Sequence, residues 1–113
     1  MKKITVKFYK TLSNKEPVRE FLKELSKNDK ITIGEDIKTV EFGWPIGMPV
    51  CRPLGESLYE VRSTISSKRE VRTVFTIINQ YMILLHVFIK KSQTTPNSEL
   101  DIAKKRKKEV ENG

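Results

Sequence analysis

Apolar and polar residues alternate with period two over Lys3–Tyr9 (KITVKFY), which predicts a strand at an edge or half-buried in a sheet. The period then changes. Val18, Phe21, Leu22 and Leu25 recur at helical spacing behind Pro17, and Ser13 stands three residues before Glu16, the spacing of a capping box. A first helix is expected there. After a polar break at Ser26–Lys30, Ile33, Ile37 and Val40 repeat at helical intervals, flanked by Ile31 and Phe42. They predict a second helix, weakened by Gly34 and the β-branched residues and ending near Gly43. Trp44–Gly55 (WPIGMPVCRPLG) holds three of the five prolines and reads as an irregular loop crossing from helices to sheet. Three strand patterns follow, Leu58–Ile65, Glu70–Ile78 and Tyr81–Ile89. The short polar turns between them, Ser66–Lys68 and Asn79–Gln80, make antiparallel hairpins. The last strand is apolar on both faces, as a central strand is. Pro96, Asn97 and Ser98 open a final helix, with Ser98 three residues before Asp101 in a second capping-box spacing. Leu100, Ala103 and Val110 give that helix a thin apolar stripe, and Lys104–Lys108 (KKRKK) dominates its other faces.

The order β-α-α-β-β-β-α predicts an α+β domain spanning residues 1–113. Its expected form is a small antiparallel-meander sheet with two helices on one face, a basic C-terminal helix, and the second sheet face open. A chain of 113 residues builds one modest core. Cys51, the sole cysteine, excludes an internal disulfide and a thiolate metal cage. The longest apolar run, Met82–Ile89 broken by His86, falls well short of the ~20 residues of a membrane span. The start, MKKITVKFYK, lacks the apolar stretch of a signal peptide. The expectation is a cytoplasmic protein with no cofactor, no metal and no membrane partner.

Charge adds a class of partner. The formal net charge is +8, and charged residues make up 32% of the chain, a surplus that favours a polyanion such as nucleic acid or a ribosome. In the three hairpin strands and just past the end of the last, the basic groups are Arg62, Arg72, His86, Lys90 and Lys91. RNA carries its own nucleophile, the 2′-OH, so a protein cuts it by moving protons and stabilising a phosphorane. Histidine suits the proton transfers, and arginine suits planar contacts to phosphate oxygens. His86 is therefore the acid–base candidate, against the alternative of a core histidine bonded to backbone. Lys90 shares its strand parity and Phe88 lies between them, able to stack on a base or simply to pack. Arg62 and Arg72 are the phosphate candidates. The alternative is solvated edge residues, or ion pairs with a neighbour such as Glu60 or Glu70. Lys91, Lys104, Lys105, Arg106, Lys107 and Lys108 form the candidate nucleic-acid-binding set, or else a solvated helix face.

LYEVR at Leu58–Arg62, an arginine in the next strand, LLHVFIKKSQTTP at Leu84–Pro96, and a final helix with Glu99 and Ala103 together resemble the HigB-type toxins. These are the phage-derived subgroup of the RelE/ParE superfamily of type II toxin–antitoxin systems, and the resemblance runs from Glu16–Val18 to the C-terminal helix. It implies a RelE-like fold and a metal-independent endoribonuclease that cleaves mRNA, usually on the ribosome. It also implies a HigA-type helix-turn-helix antitoxin that carries the complex to operator DNA. By matching motifs, Arg62, Arg72, His86, Lys90 and Lys91 fall where the subgroup carries its basic functional residues. The chain departs from the pattern in its serine-rich first hairpin and in Tyr59, where an aromatic, often tryptophan, is usual. Two other readings stand beside this one. The first is a non-catalytic toxin of the superfamily that inhibits DNA gyrase. The second is an inactive relative acting only in a DNA-binding repressor complex.

Overall fold

Strand β5 (Tyr81–Lys90) is apolar on both faces because both faces are covered, and the fold is organised around it. The computed structural model describes residues 2–91 and 93–113; Ser92 of the LLHVFIKKSQTTP stretch lies outside them. Along the chain come β1 (Thr5–Phe8), α1 (Pro17–Lys23), α2 (Lys27–Gly43), β2 (Cys51–Gly55), β3 (Leu58–Ile65), β4 (Arg69–Ile78), β5 and α3 (Asn97–Asn112). The strands form one sheet in the order β1-β5-β4-β3-β2. The three expected hairpin strands pair antiparallel as anticipated. The sheet as a whole is mixed and not an antiparallel meander, because β1 lies parallel to β5. The physical reason is the crossover: β1 is followed by two helices, which return the chain to the far side of the sheet before β2 begins.

The stretch expected to be wholly irregular contains β2, which pairs antiparallel with β3. Pro53 is tolerated because β2 is an edge strand, where a missing N–H costs no ladder bond on the open side. Gly55, at φ +90°, then starts the turn into β3 with a backbone that other residues rarely adopt. Trp44, the first residue of this stretch, packs edge-on against Tyr59 and Phe75, with ring centroids 5.0 and 5.7 Å away.

Helices α1 and α2 lie on one face of the sheet. Val18, Ile33, Ile37 and Val40 are buried there against Val61, Val71, Phe75, Met82 and Leu84. The other face is not open throughout: α3 crosses part of it, burying Ala103 with Leu58, Val74, Ile83, Leu85 and Phe88. A β-bulge makes both packings possible. Phe75 pairs with Leu84 but Val74 pairs with His86, so Leu85 is an extra residue in β5. Met82 and Leu84, and beyond the bulge Val87, therefore face α1 and α2, while Ile83, Leu85 and Phe88 face α3. Among the described residues no helix is long and apolar enough to cross a membrane.

All three helix starts differ from expectation. The polar stretch before α2 is its first turn, capped by Ser26, whose hydroxyl accepts from the Asp29 N–H. Helices α1 and α3 begin after Glu16 and Pro96 without a side-chain cap, so neither Ser13 nor Ser98 closes a capping box. Ser13 instead meets Thr11, 3.1 Å between their hydroxyls.

Asp29 then latches α2 to the β3–β4 hairpin. It accepts from Ser66 N at 3.1 Å, Ser66 Oγ at 2.9 Å and Arg69 Nη2 at 3.0 Å. The backbone bond from Ser66 is the chief cause that holds its carboxyl below the usual range, with the Ser66 and Ser26 hydroxyls and Arg69 adding to it. A depressed folded pKa means the contribution is fully present above the unfolded value of about 3.9 and is lost as pH falls through the folded value. Asp29→Asn is therefore expected to lower the melting temperature at pH 7. Wild type and variant should converge as the pH is taken below the folded pKa of Asp29. Thermal denaturation followed by circular dichroism across that range checks this, and a gap that persists in acid would contradict it.

Candidate functional site

Strand register assembles the site. The β3–β4 pairing sets Arg62 opposite Arg72 and Thr64 opposite Glu70, and the β4–β5 pairing sets Arg72 opposite Phe88 and Glu70 opposite Lys90. All of these lie on the sheet face that α3 shares. Beyond the reach of α3, Arg62, Glu70, Arg72 and Lys90 line a cleft of about 530 Å³. Lys91 and Gln93, both after the end of β5, complete the wall.

Two arginines directly opposite each other on paired strands repel, so their counter-ions decide the geometry. Arg72 is buried, 2% exposed, and donates from Nη1 to Glu70 Oε1 at 3.1 Å and to the Val71 carbonyl at 3.2 Å. Its Nε is 3.6 Å from Oε2 of Glu60, which is fully buried. Arg62 Nε stands 4.0 Å from the same oxygen, and its Nη1 donates to Met48 Sδ at 3.6 Å. Behind, Glu60 Oε1 accepts from Thr95 Oγ1 at 3.1 Å. Glu70 also accepts from Thr64 Oγ1 at 2.7 Å. That bond, reinforced by Arg72, holds the Glu70 carboxyl below the usual range. Burial pulls the Lys90 ammonium below the usual lysine range, and Arg72 beside it adds to the pull. The cleft is thus cationic and rich in donors, and Glu70 is its ionised carboxylate.

His86 is not in this cleft. It sits under α3, with Nε2 2.7 Å from Glu99 Oε1 and Nδ1 3.5 Å from Arg106 Nη1. Arg106 is a donor only. The arrangement that satisfies both ring nitrogens therefore has Nε2–H donating to Glu99 and a bare Nδ1 facing the guanidinium. The ring stacks on Phe88 at 5.6 Å, and Phe88 itself is buried. His86 and Phe88 line an adjoining slot of about 580 Å³ with Phe21, Pro96 and Glu99. Lys91 belongs to both slot and cleft.

The structure distributes the KKRKK run around α3. Lys104 pairs with Glu56 at 2.8 Å and Lys107 with Glu111 at 2.9 Å. Arg106 turns inward, donates to the Leu85 carbonyl at 2.8 Å and lies over the Tyr9 ring at 5.2 Å. Lys105 and Lys108 are exposed. Cys51 is buried, and burial followed by the charge of Glu60 pushes its thiol up to about 11, so it is no nucleophile.

Glu60 and Glu70 are the ion-pair neighbours of the arginines that the sequence suggests; Glu70 also lines the cleft, and Glu60 lies buried beside it. Period-two parity carried that signal, since Glu60 shares a face with Arg62 and Glu70 with Arg72. Gln93 and Thr95 carried none. Arg52 was hidden by the prolines around it. Its pairing opposite Glu60 places it at the same sheet region, near enough for its charge to act on Lys90.

A comparison with curated proteins gives no match. Comparison with family models matches residues 20–108 to the phage-derived Gp49-like proteins (DUF891). That span contains α2, the whole β2–β5 region and every residue of the cleft. The chain belongs to the Gp49-like phage-derived family, a family of toxins of the RelE/ParE type that implies an antitoxin partner.

Proposed function

We propose that the protein is a HigB-like toxin that cleaves mRNA, with ribosomes as its working context, and that the cleft of Arg62, Arg72 and Lys90 is where the scissile phosphate binds. One observation carries this reading: paired strands gather two guanidinium groups and an ammonium of lowered pKa around one open cleft. The 2′-oxygen attacks phosphorus, its proton leaving to solvent. A P–O2′ bond forms and the P–O5′ bond breaks, giving a 2′,3′-cyclic phosphate and a 5′-OH. Arg62 and Arg72 stabilise the extra negative charge of the phosphorane. Lys90, an ammonium made more acidic by burial and the neighbouring Arg72, protonates the departing 5′-oxygen. Exposed lysines of α3 contribute affinity that is sensitive to salt and indifferent to sequence. A HigA-type antitoxin would neutralise the toxin and carry it to operator DNA.

His86 is assigned a different role, a brace that holds α3 through Glu99. His86→Ala is expected to lower stability by about 1–2 kcal/mol, the worth of a lost partly buried hydrogen bond. The pH profile of cleavage should keep its shape; a profile that loses one limb would return His86 to proton transfer. A second reading, a toxin that acts by binding alone, is favoured by the same occupied ring nitrogens. Controlled expression with 5′-end mapping of cellular mRNA separates the two. New mRNA ends that vanish in Arg62→Ala support cleavage, whereas growth arrest with intact mRNA supports binding.

A further inference from the structure

Three polar side-chain atoms meet beside the cleft without a hydrogen-bond partner: Glu60 Oε2, Arg62 Nε and Arg72 Nε, all buried. They surround one point, with Glu60 Oε2 3.6 Å from Arg72 Nε and 4.0 Å from Arg62 Nε. A closed guanidinium–carboxylate pair contracts to about 2.7–2.9 Å, and buried polar groups are ordinarily satisfied. Three neighbouring groups explain why this trio stays open. Thr95 Oγ1 holds Glu60 from behind at 3.1 Å, and Glu70 and the Val71 carbonyl draw the Arg72 Nη1 away at 3.1 and 3.2 Å. The result is one buried negative charge set loosely between two opposed cations.

We infer that Glu60 is the positioning residue of the cleft: tethered by Thr95 from behind, it sits between the buried Nε groups of Arg62 and Arg72 and keeps the two guanidinium groups apart and aimed. This rests on the cleft being the phosphate site, as in the proposed function. Glu60 touches no substrate. It acts through the two arginines, which it spaces against their mutual repulsion while its own charge limits how tightly an anion is held before reaction.

Two variants are expected to move binding in opposite directions. Glu60→Gln removes the competing charge and should tighten a 2′-O-methyl oligoribonucleotide, which cannot be cleaved, several-fold. Thr95→Val keeps the charge but frees the carboxylate to close on Arg72, and should weaken the same oligonucleotide several-fold. In cleavage, Glu60→Gln should lower kcat about a hundredfold through misplacement without raising KM. Arginine Nε–Hε resonances should broaden in Glu60→Gln, where the spacing charge is gone, and stay sharp in wild type. A loss of folding moves none of these in that pattern. If Glu60→Gln fails to fold, Thr95→Val alone decides: unchanged binding would overturn the inference. Parallel weakening by both variants, or unaltered arginine resonances, would also overturn it. Opposite binding shifts with no cleavage by wild type would uphold Glu60 and sink the ribonuclease reading instead.

Discussion

Arg62→Ala is expected to reduce RNA cleavage by about two to three orders of magnitude, the usual cost of one preorganised donor aimed at developing charge. The protein should remain folded. Arg62 contributes little to the core: its side chain is 27% exposed, and its contacts to Glu60 and Met48 are long, 4.0 and 3.6 Å. Its removal takes one cation from the phosphate site, so binding to single-stranded RNA should lose about 0.7 from the log–log salt slope. Single-turnover kinetics with a fluorescent RNA, alongside thermal melting, gives both readings. Cleavage within a few-fold of wild type would remove Arg62 from the reaction.

Arg72→Ala is expected to fail differently, through stability. Arg72 and Glu60 are 2% and 0% exposed, so deleting the arginine leaves a buried carboxylate with no counter-ion beyond the distant Arg62. Breaking such a pair from one side costs about 3–5 kcal/mol, a large part of the roughly 5–15 kcal/mol that holds a domain folded. The partnership with Glu70 adds less, because Glu70 is 42% exposed and screened by solvent. The double substitution Glu60→Gln with Arg72→Met, which removes both charges, should recover most of the loss. Urea unfolding of the single and double variants measures the coupling. Additive losses would mean that Glu60 and Arg72 do not stabilise one another.

These two arginines also show how far the sequence reaches. Both were legible as functional candidates from strand period and charge, but nothing in the periodicity distinguishes the partly exposed Arg62 from the buried Arg72. That difference comes from register, which sets Arg72 in the middle of the sheet between β3 and β5. The helices α1 and α2 and strands β3, β4 and β5 were legible because their apolar spacing is strong. The direction of β1 was not, since KITVKFY reads the same in either orientation. Strand β2 was masked by Pro53 and its neighbours, whose turn chemistry an edge position overrides. His86 and Lys90 do share a parity, as expected, yet α3 covers one and leaves the other at the cleft. A covering helix of such thin apolar stripe is held by side-chain contacts, Arg106 to the Leu85 carbonyl and Glu99 to His86, and contacts of that kind leave no periodic trace.

The most direct test of the central claim is the chemistry of the cut ends. Purified protein and its Arg62→Ala variant would be incubated with a defined mRNA, free and on programmed ribosomes, and the termini identified by mass spectrometry. Attack by the 2′-oxygen predicts a 2′,3′-cyclic phosphate or its 3′-phosphate product with a 5′-OH, made by wild type and not by the variant. A single 2′-deoxynucleotide at the cut site should abolish it. Ends carrying 3′-OH and 5′-phosphate, or intact mRNA under both conditions, would contradict the account.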